Sequence, residues 1–348
     1  MRSRKRKIRE LRKLAITGIL FLIAVGILIA AVLLQREEEP TAPSGTKTEQ
    51  SDPTISIPTV DADPQTLESL AKILFAEKTF AAKHIAVYDA TANVTLFEKN
   101  ATDRITAAST TKLLTALTML EHVGEDTVFT VGSEITLIGS GSSTAKLKQG
   151  YRLTVSQILD ALLIPSGNDA AYVIAAHVGR KLANDPQISD KDAVARFVEE
   201  MNGKAKQLGV TDSYFSCPDG YPDKLQYTTA ADMLKIGVAA AQNSVIRTTV
   251  GKAYVSHTLS DGTVLEYTNT NKLMVPSSGE FYEGLFGLKT GSTNAAGQCV
   301  IVGCEIYGHE VIFAVFKAPD SASRWADCRA LIDVATEAIT QAQNKFNP

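Results

Sequence analysis

Hydrophobic positions change their period several times along the chain, and each change marks an element. Residues 14–34, LAITGILFLIAVGILIAAVLL, are uncharged and almost wholly apolar, enough to cross the ~30 Å hydrocarbon layer of a bilayer as one helix. Residues 35–64 lose all periodicity and fill with Pro, Ser, Thr and acidic residues, the composition of a flexible linker. From 65 to 344 the pattern is that of a folded domain. HIAVYDATANVTLFEKN (His84–Asn100) alternates about a turn, as a strand hairpin does. RITAASTTKLLTALTMLEH (Arg104–His122) turns apolar on nearly all sides after two small residues, which predicts a buried helix. Helical period follows in SQILDALLI, AAYVIAAHVG and DAVARFVEEMNGKAKQLG. Alternation returns in GLFGLKTG and GQCVIVGCEIYGHEVIFAVFKA, where Tyr307-Gly308 marks a hairpin turn. SRWADCRALIDVATEAITQAQ ends the domain as an amphipathic helix. Strands, helices, strands and a helix predict an α+β domain. It would be an antiparallel sheet flanked by terminal helices, with a helical subdomain inserted in the middle.

Charge refines the N-terminal picture. Residues 1–13 hold eight Arg/Lys and one Glu, a block of +7 in a chain of net charge −3. The rest therefore carries −10, which excludes a basic nucleic-acid-binding domain. Placed before the apolar run, the basic block holds that end in the cytoplasm. The expectation is a cytoplasmic segment 1–13, a single-pass membrane anchor 14–34, a linker 35–64 and an extracytoplasmic domain 65–344. A cleaved signal peptide, giving a secreted domain, is the rival reading. The run exceeds the usual signal length and lacks a clean A-x-A site. The four cysteines, Cys217, Cys299, Cys304 and Cys328, show no C-x-x-C spacing and suggest no zinc site. On a shared strand Cys299 and Cys304 point to opposite faces and cannot pair; buried free thiols are expected.

One residue breaks the apolar helix. Lys112 stands in its first turn, three residues after Ser109. That spacing brings the two side chains together on one helix face. An ammonium in an apolar setting has its pKa lowered, so Lys112 can serve as a base toward the Ser109 hydroxyl. The spacing alone is weak, because S-x-x-K occurs at Ser44/Lys47, Ser69/Lys72, Ser109/Lys112 and Ser143/Lys146. Of the four, only Ser109 opens a buried helix. Two further motifs follow in order: Ser166-Gly167-Asn168 in a turn between apolar helices, then Lys289-Thr290-Gly291 at the end of a strand. S-x-x-K, S-x-N and K-T-G together are the set of serine β-lactamases and penicillin-binding proteins.

From about Ser69 to Asp333 the chain resembles the D-alanyl-D-alanine carboxypeptidases, the low-molecular-mass penicillin-binding proteins. ASTTKLLTALTMLE, LTVSQILDALLIPSGNDAAYVIAAHVG, FVEEMNGKAKQLGVTDSYFSCPDG, YTTAADM and GLFGLKTGSTNAAGQCVI carry the likeness beyond the three motifs. The resemblance implies the serine β-lactamase-like fold and removal of the terminal D-alanine from peptidoglycan stem pentapeptides. It also implies acylation by β-lactams and no cofactor or metal. Ser109 would be the nucleophile and Lys112 its base. Ser166 and Lys289 would pass a proton to the leaving D-alanine while Asn168 holds the substrate amide. The oxyanion hole would be the N–H groups of Ser109 and Ser292. Thr290, Lys289 and Arg324 would take the substrate carboxylate, and the K-T-G strand would be a sheet edge, with Gly291 leaving room for an added peptide strand. Lys289 is also expected to press the Lys112 pKa down by like charge.

Three other functions compete. A D,D-endopeptidase cutting cross-links would carry the same motifs. A β-lactamase needs a water-activating glutamate in an E-x-x-x-N loop, and FVEEMNG puts Val198 where that glutamate belongs before Asn202. Glu199 and Glu200 read instead as a solvated helix face. A non-catalytic wall-binding protein would gain nothing from a buried lysine. His177 reads as a packing residue, Asp169 as structural, and Asp89, Lys99 and Asn100 as parts of the first hairpin.

Overall fold

The structure, a computed structural model, describes residues 63–346. The basic segment, the apolar run and nearly all of the linker lie outside the described residues. Asp63 caps the first helix, α1 (Pro64–Ala76), by accepting from the Thr66 N–H. The predicted hairpin forms β1 (His84–Asp89) and β2 (Val94–Lys99). After the helical middle come β7 (Leu285–Thr293), β8 (Gly297–Ile306) and β9 (His309–Ala318). These five strands make one antiparallel sheet in the order β2-β1-β9-β8-β7. The β8–β9 turn is at Tyr307-Gly308, with φ of 48° and 84°, the paired positive values that a two-residue hairpin favours.

Between β2 and β7 lie α2 (Lys112–His122), β3 (Val128–Thr130) and β4 (Arg152–Thr154). They are followed by α3 (Val155–Leu163), α4 (Asn168–Ala183), α5 (Asp190–Gln207), α6 (Ala230–Gln242) and α7 (Ser244–Val250). A hairpin of β5 (Tyr254–Thr258) and β6 (Val264–Thr268) completes this insertion, and α8 (Ser321–Phe346) ends the chain. The predicted α+β arrangement is observed, with two small ribbons, β3–β4 and β5–β6, that periodicity did not reveal.

The sheet separates two hydrophobic cores because its strands are buried on both faces and carry apolar residues at successive positions. Ile85, Val87, Val300, Val302, Cys304, Phe313 and Val315 pack with α1 and α8. Ala86, Cys299, Ile301, Ile312, Ala314 and Phe316 join the larger core of the helical insertion. Cys299 and Cys304 thus face opposite sides of β8, as their spacing requires, and all four cysteines are free. The close approach of α6 to the sheet depends on Gly237, where a Cβ would lie 2.8 Å from Ile301. This packing leaves β7 at the sheet edge with the insertion alongside it, and the motif residues gather there.

Candidate active site

The predicted helix at 104–122 divides in two. Ala108–Thr111 forms a 3₁₀ turn and the α-helix begins at Lys112. In a 3₁₀ turn residues i and i+3 eclipse, so Ser109 and Lys112 are aligned more directly than on an α-helix. Lys112 Nζ lies 2.8 Å from Ser109 Oγ. Lys112 is fully buried and also meets Asn168 Oδ1 at 2.7 Å and the Asp219 carbonyl at 2.9 Å. Both of those partners are acceptors only. Nζ thus has three oxygen partners, the number an ammonium can donate to; in the neutral amine one N–H is replaced by a lone pair, which only the Ser109 hydroxyl, being also a donor, could meet. Burial brings the Lys112 pKa down from 10.5 to about 8, against the opposing pull of Asp219 and then of Cys217 and Asp169.

The S-x-N turn is built by strain and clasped by a loop. Ser166 adopts φ of 66° between α3 and α4. A Cβ on Gly167 would lie 2.7 Å from the Ala161 carbonyl, so this position requires glycine. Ser143 Oγ donates to the Ser166 carbonyl at 2.7 Å, and Asn168 Nδ2 donates to Ser142 Oγ at 2.8 Å. Asp169 accepts from the N–H groups of Ala145 and Leu147, the structural role expected of it. The Asn168 carboxamide is thereby fixed with its oxygen on Lys112. Ser166 is buried on the same turn.

The K-T-G segment lies on β7, the edge strand. A register shift at Leu285/Gly287 precedes it; such bulges re-aim the side chains that follow. A Cβ on Gly291 would lie 3.0 Å from Ser109 N, so the strand runs directly against the Ser109 turn. Lys289 is buried and donates to the Thr290 carbonyl at 3.1 Å. Its pKa is held far below the usual lysine value by burial, then by Lys112 and Arg324. This corrects the expected direction of influence: Lys289 is the lysine that yields, because Lys112 has the Asp219 charge beside it and Lys289 faces two cations. Thr290 Oγ1 donates to Thr270 Oγ1 at 2.8 Å, and the Thr270 N–H reaches the Ile164 carbonyl at 3.0 Å. Thr270 so links K-T-G to the S-x-N turn. Ser292 is exposed and accepts from Gln298 Nε2.

Arg324 reaches the K-T-G strand itself, its Nη1 lying 3.5 Å from the Gly291 carbonyl. Its Nη1 donates to the Cys299 carbonyl at 3.2 Å, its guanidinium lies over the Trp325 ring, and its Nε is buried without a partner. It therefore adds positive potential at the K-T-G strand, enough to lower the Lys289 pKa.

Several neighbours escaped sequence reasoning: Ser142, Ser143, Asp219, Gly220 and Thr270. Pro218-Asp219-Gly220 is legible as a turn, but nothing local shows that its carbonyl meets a lysine 107 positions away. Gly220 has φ of 77°, and a Cβ there would lie 1.9 Å from the Ala108 carbonyl, so this turn packs straight onto the Ser109 turn. The competing motifs have other uses. Asn202 brackets the chain, donating to the carbonyls of Val198 and Phe215 and accepting from Phe215 N. Glu199 and Glu200 pair with Arg196 on the surface of α5. His177 packs on the Phe129 ring at 4.6 Å.

The sequence profile of the D-alanyl-D-alanine carboxypeptidase family, peptidase family S11, matches residues 72–320. The chain is 32% identical over 251 residues to a D-alanyl-D-alanine carboxypeptidase of Streptomyces sp. strain K15, covering 69% of this chain and 81% of that protein. It is 27% identical over 265 residues to DacF of Bacillus subtilis, covering 75% of this chain and 63% of the relative, so it spans less than two thirds of that protein. The solved Streptomyces K15 DD-transpeptidase superposes with a TM-score of 0.67 at 29% identity, over 74% of this chain and 98% of the other. The chain belongs to the D-alanyl-D-alanine carboxypeptidase family of serine peptidases.

Proposed function

We propose that this protein removes the terminal D-alanine from peptidoglycan stem pentapeptides through an acyl-enzyme on Ser109. One observation carries the reading: Lys112 Nζ faces Ser109 Oγ at 2.8 Å with its other two contacts held by pure acceptors. Lys112 takes the serine proton as Oγ attacks the carbonyl between the two D-alanines. The N–H groups of Ser109 and Ser292 receive the developing oxyanion, each such donor being worth about 3–4 kcal/mol. The proton then returns by way of Ser166 and Lys289 to the departing amine. Asn168 orients the substrate amide, and Thr290 and Lys289 meet the substrate carboxylate with Arg324 adding positive charge beside them. Gly291 leaves the edge strand open for the peptide backbone to pair along it. Water finally releases the acyl group. We place the catalytic domain outside the cytoplasmic membrane, held by residues 14–34 and the linker that follows.

The same acyl-enzyme can be passed to an amine, and the likeness to the Streptomyces K15 DD-transpeptidase favours that as the second reading. Penicillin tests the shared step. Intact-mass spectrometry should show one long-lived adduct on the wild type and none on Ser109→Ala. An adduct that survives Ser109→Ala would overturn the nucleophile assignment. Product analysis on a pentapeptide, with and without an amine acceptor, separates hydrolysis from transfer; a cross-linked dimer as substrate detects endopeptidase action.

A further inference from the structure

Lys112 is fully buried, yet its three hydrogen-bond partners, Ser109 Oγ, Asn168 Oδ1 and the Asp219 carbonyl, are uncharged oxygens. The charged and titratable groups facing it come from three elements: Asp169 on α4, Lys289 on β7, and Cys217 and Asp219 on the loop between α5 and α6. Asp169 has its carboxylate taken up by the N–H groups of Ala145, Leu147 and Ala170. The Cys217 thiol is pushed up to about 12, chiefly by burial, and stays neutral. The Lys289 pKa is held well below the usual lysine value by burial, then by Lys112 and Arg324.

Asp219 remains. It is 0% exposed, and it faces Cys217 on its own loop and Tyr172 on α4, whose phenol is pushed upward by burial first and Asp219 second. Its Oδ1 accepts from Tyr221 N at 3.0 Å, while its Oδ2 is buried with no hydrogen-bond partner. A turn of this kind needs only one side-chain oxygen, which an asparagine supplies without a charge. A buried and half-unpaired carboxylate is costly and calls for an explanation. The backbone carbonyl of the same residue grips Lys112 at 2.9 Å, so the carboxylate is held in a fixed position relative to the amine.

We propose that Asp219 is a positioning residue for the general base: its buried carboxylate offsets the desolvation of Lys112, keeping the amine basic enough to take the Ser109 proton. Burial alone favours the neutral amine but weakens it as a base, and an efficient base sits near the operating pH. The inference rests on Lys112 acting as the base.

The test is the pH profile of penicillin acylation for wild type and Asp219→Asn. Wild type should show an acid limb centred near pH 8. In Asp219→Asn the limb should move to lower pH by about one unit, with a lower plateau because the base is weaker. Asp219→Glu, which keeps the charge, should bring the limb back toward the wild-type position. A uniform loss of rate with the limb unmoved in Asp219→Asn would mean a purely structural role and would overturn the proposal. A wild-type profile without an acid limb would remove the base reading and the inference with it. If Asp219→Asn does not fold, the wild-type chain still decides. The ¹³Cε resonance of Lys112, identified by its loss in Lys112→Arg, should titrate near pH 8. A midpoint below about pH 6.5 would show that no charge supports the amine, and would also overturn it.

Discussion

Lys112 is a cation by composition, and its burial makes it the candidate base. If Lys112 is the base, the neutral amine, present above its pKa, is the form that works, so acylation should fall as pH drops through about 8, where burial has placed that pKa. Lys112→Arg keeps a donor but is charged at every working pH, and Lys112→Gln keeps a polar group with no basic nitrogen. Both should lose far more than tenfold in acylation rate by penicillin, where tenfold is about 1.4 kcal/mol of barrier. Folded mutants that stay within tenfold of wild type would reduce Lys112 to a structural hydrogen-bond donor. The motif residues were legible because S-x-x-K, S-x-N and K-T-G name side chains that must meet. Asp219 was not, because its contact with Lys112 runs through a backbone carbonyl, and any residue type can supply a carbonyl. Arg324 shows the same limit from the other side: its position was legible, but its burial against the Cys299 carbonyl and Trp325 was not.

Among the elements, the turns carry the demanding geometry. Helix and strand spans followed from hydrophobic period, but periodicity did not show that Ser109 lies in a 3₁₀ turn ahead of its helix. It also missed the short β3–β4 and β5–β6 ribbons, where three- and five-residue strands offer too few positions for a period to register. The turn at Gly220 tests how far the site depends on such contacts. Gly220→Ala faces both a φ of 77° and a Cβ position 1.9 Å from the Ala108 carbonyl. Gly150→Ala is the control, with φ of 88° and open space around the added methyl. The control should lose only the cost of a left-handed non-glycine residue, about 1–3 kcal/mol. It should still be acylated at the wild-type rate. Gly220→Ala should lose more stability in urea unfolding and also acylate slowly, because relieving the clash displaces the turn that carries Ser109. Equal stability losses and equal acylation rates for the two variants would disprove the packing of this turn onto the Ser109 turn.

At the scale of the whole molecule the sheet assigns the two ends of the folded chain to one face. α1 and α8 share a core with Val87, Val302 and Phe313, while the helical insertion occupies the opposite face and meets K-T-G at the sheet edge. The described chain therefore starts at α1, whose cap is Asp63, on the face away from the insertion. Cleavage before that cap leaves the domain intact, whereas cleavage within α1 would uncover Leu67, Ala71 and Phe75, all buried. With the +7 block and the apolar run before it, this arrangement gives a topology experiment with two readouts. Cells are first labelled with fluorescent penicillin and then treated with protease from outside. The label should leave the membrane fraction on a soluble fragment that begins between Arg36 and Pro64 and keeps its adduct. Fragments cut inside α1 should be rare at low protease, because that helix is sealed by its own core. A mature protein in the medium with an N-terminus near Gln35, found before any protease is added, would replace the anchor by a cleaved signal. A label that resists protease on intact cells would place the domain on the wrong side of the membrane for its substrate.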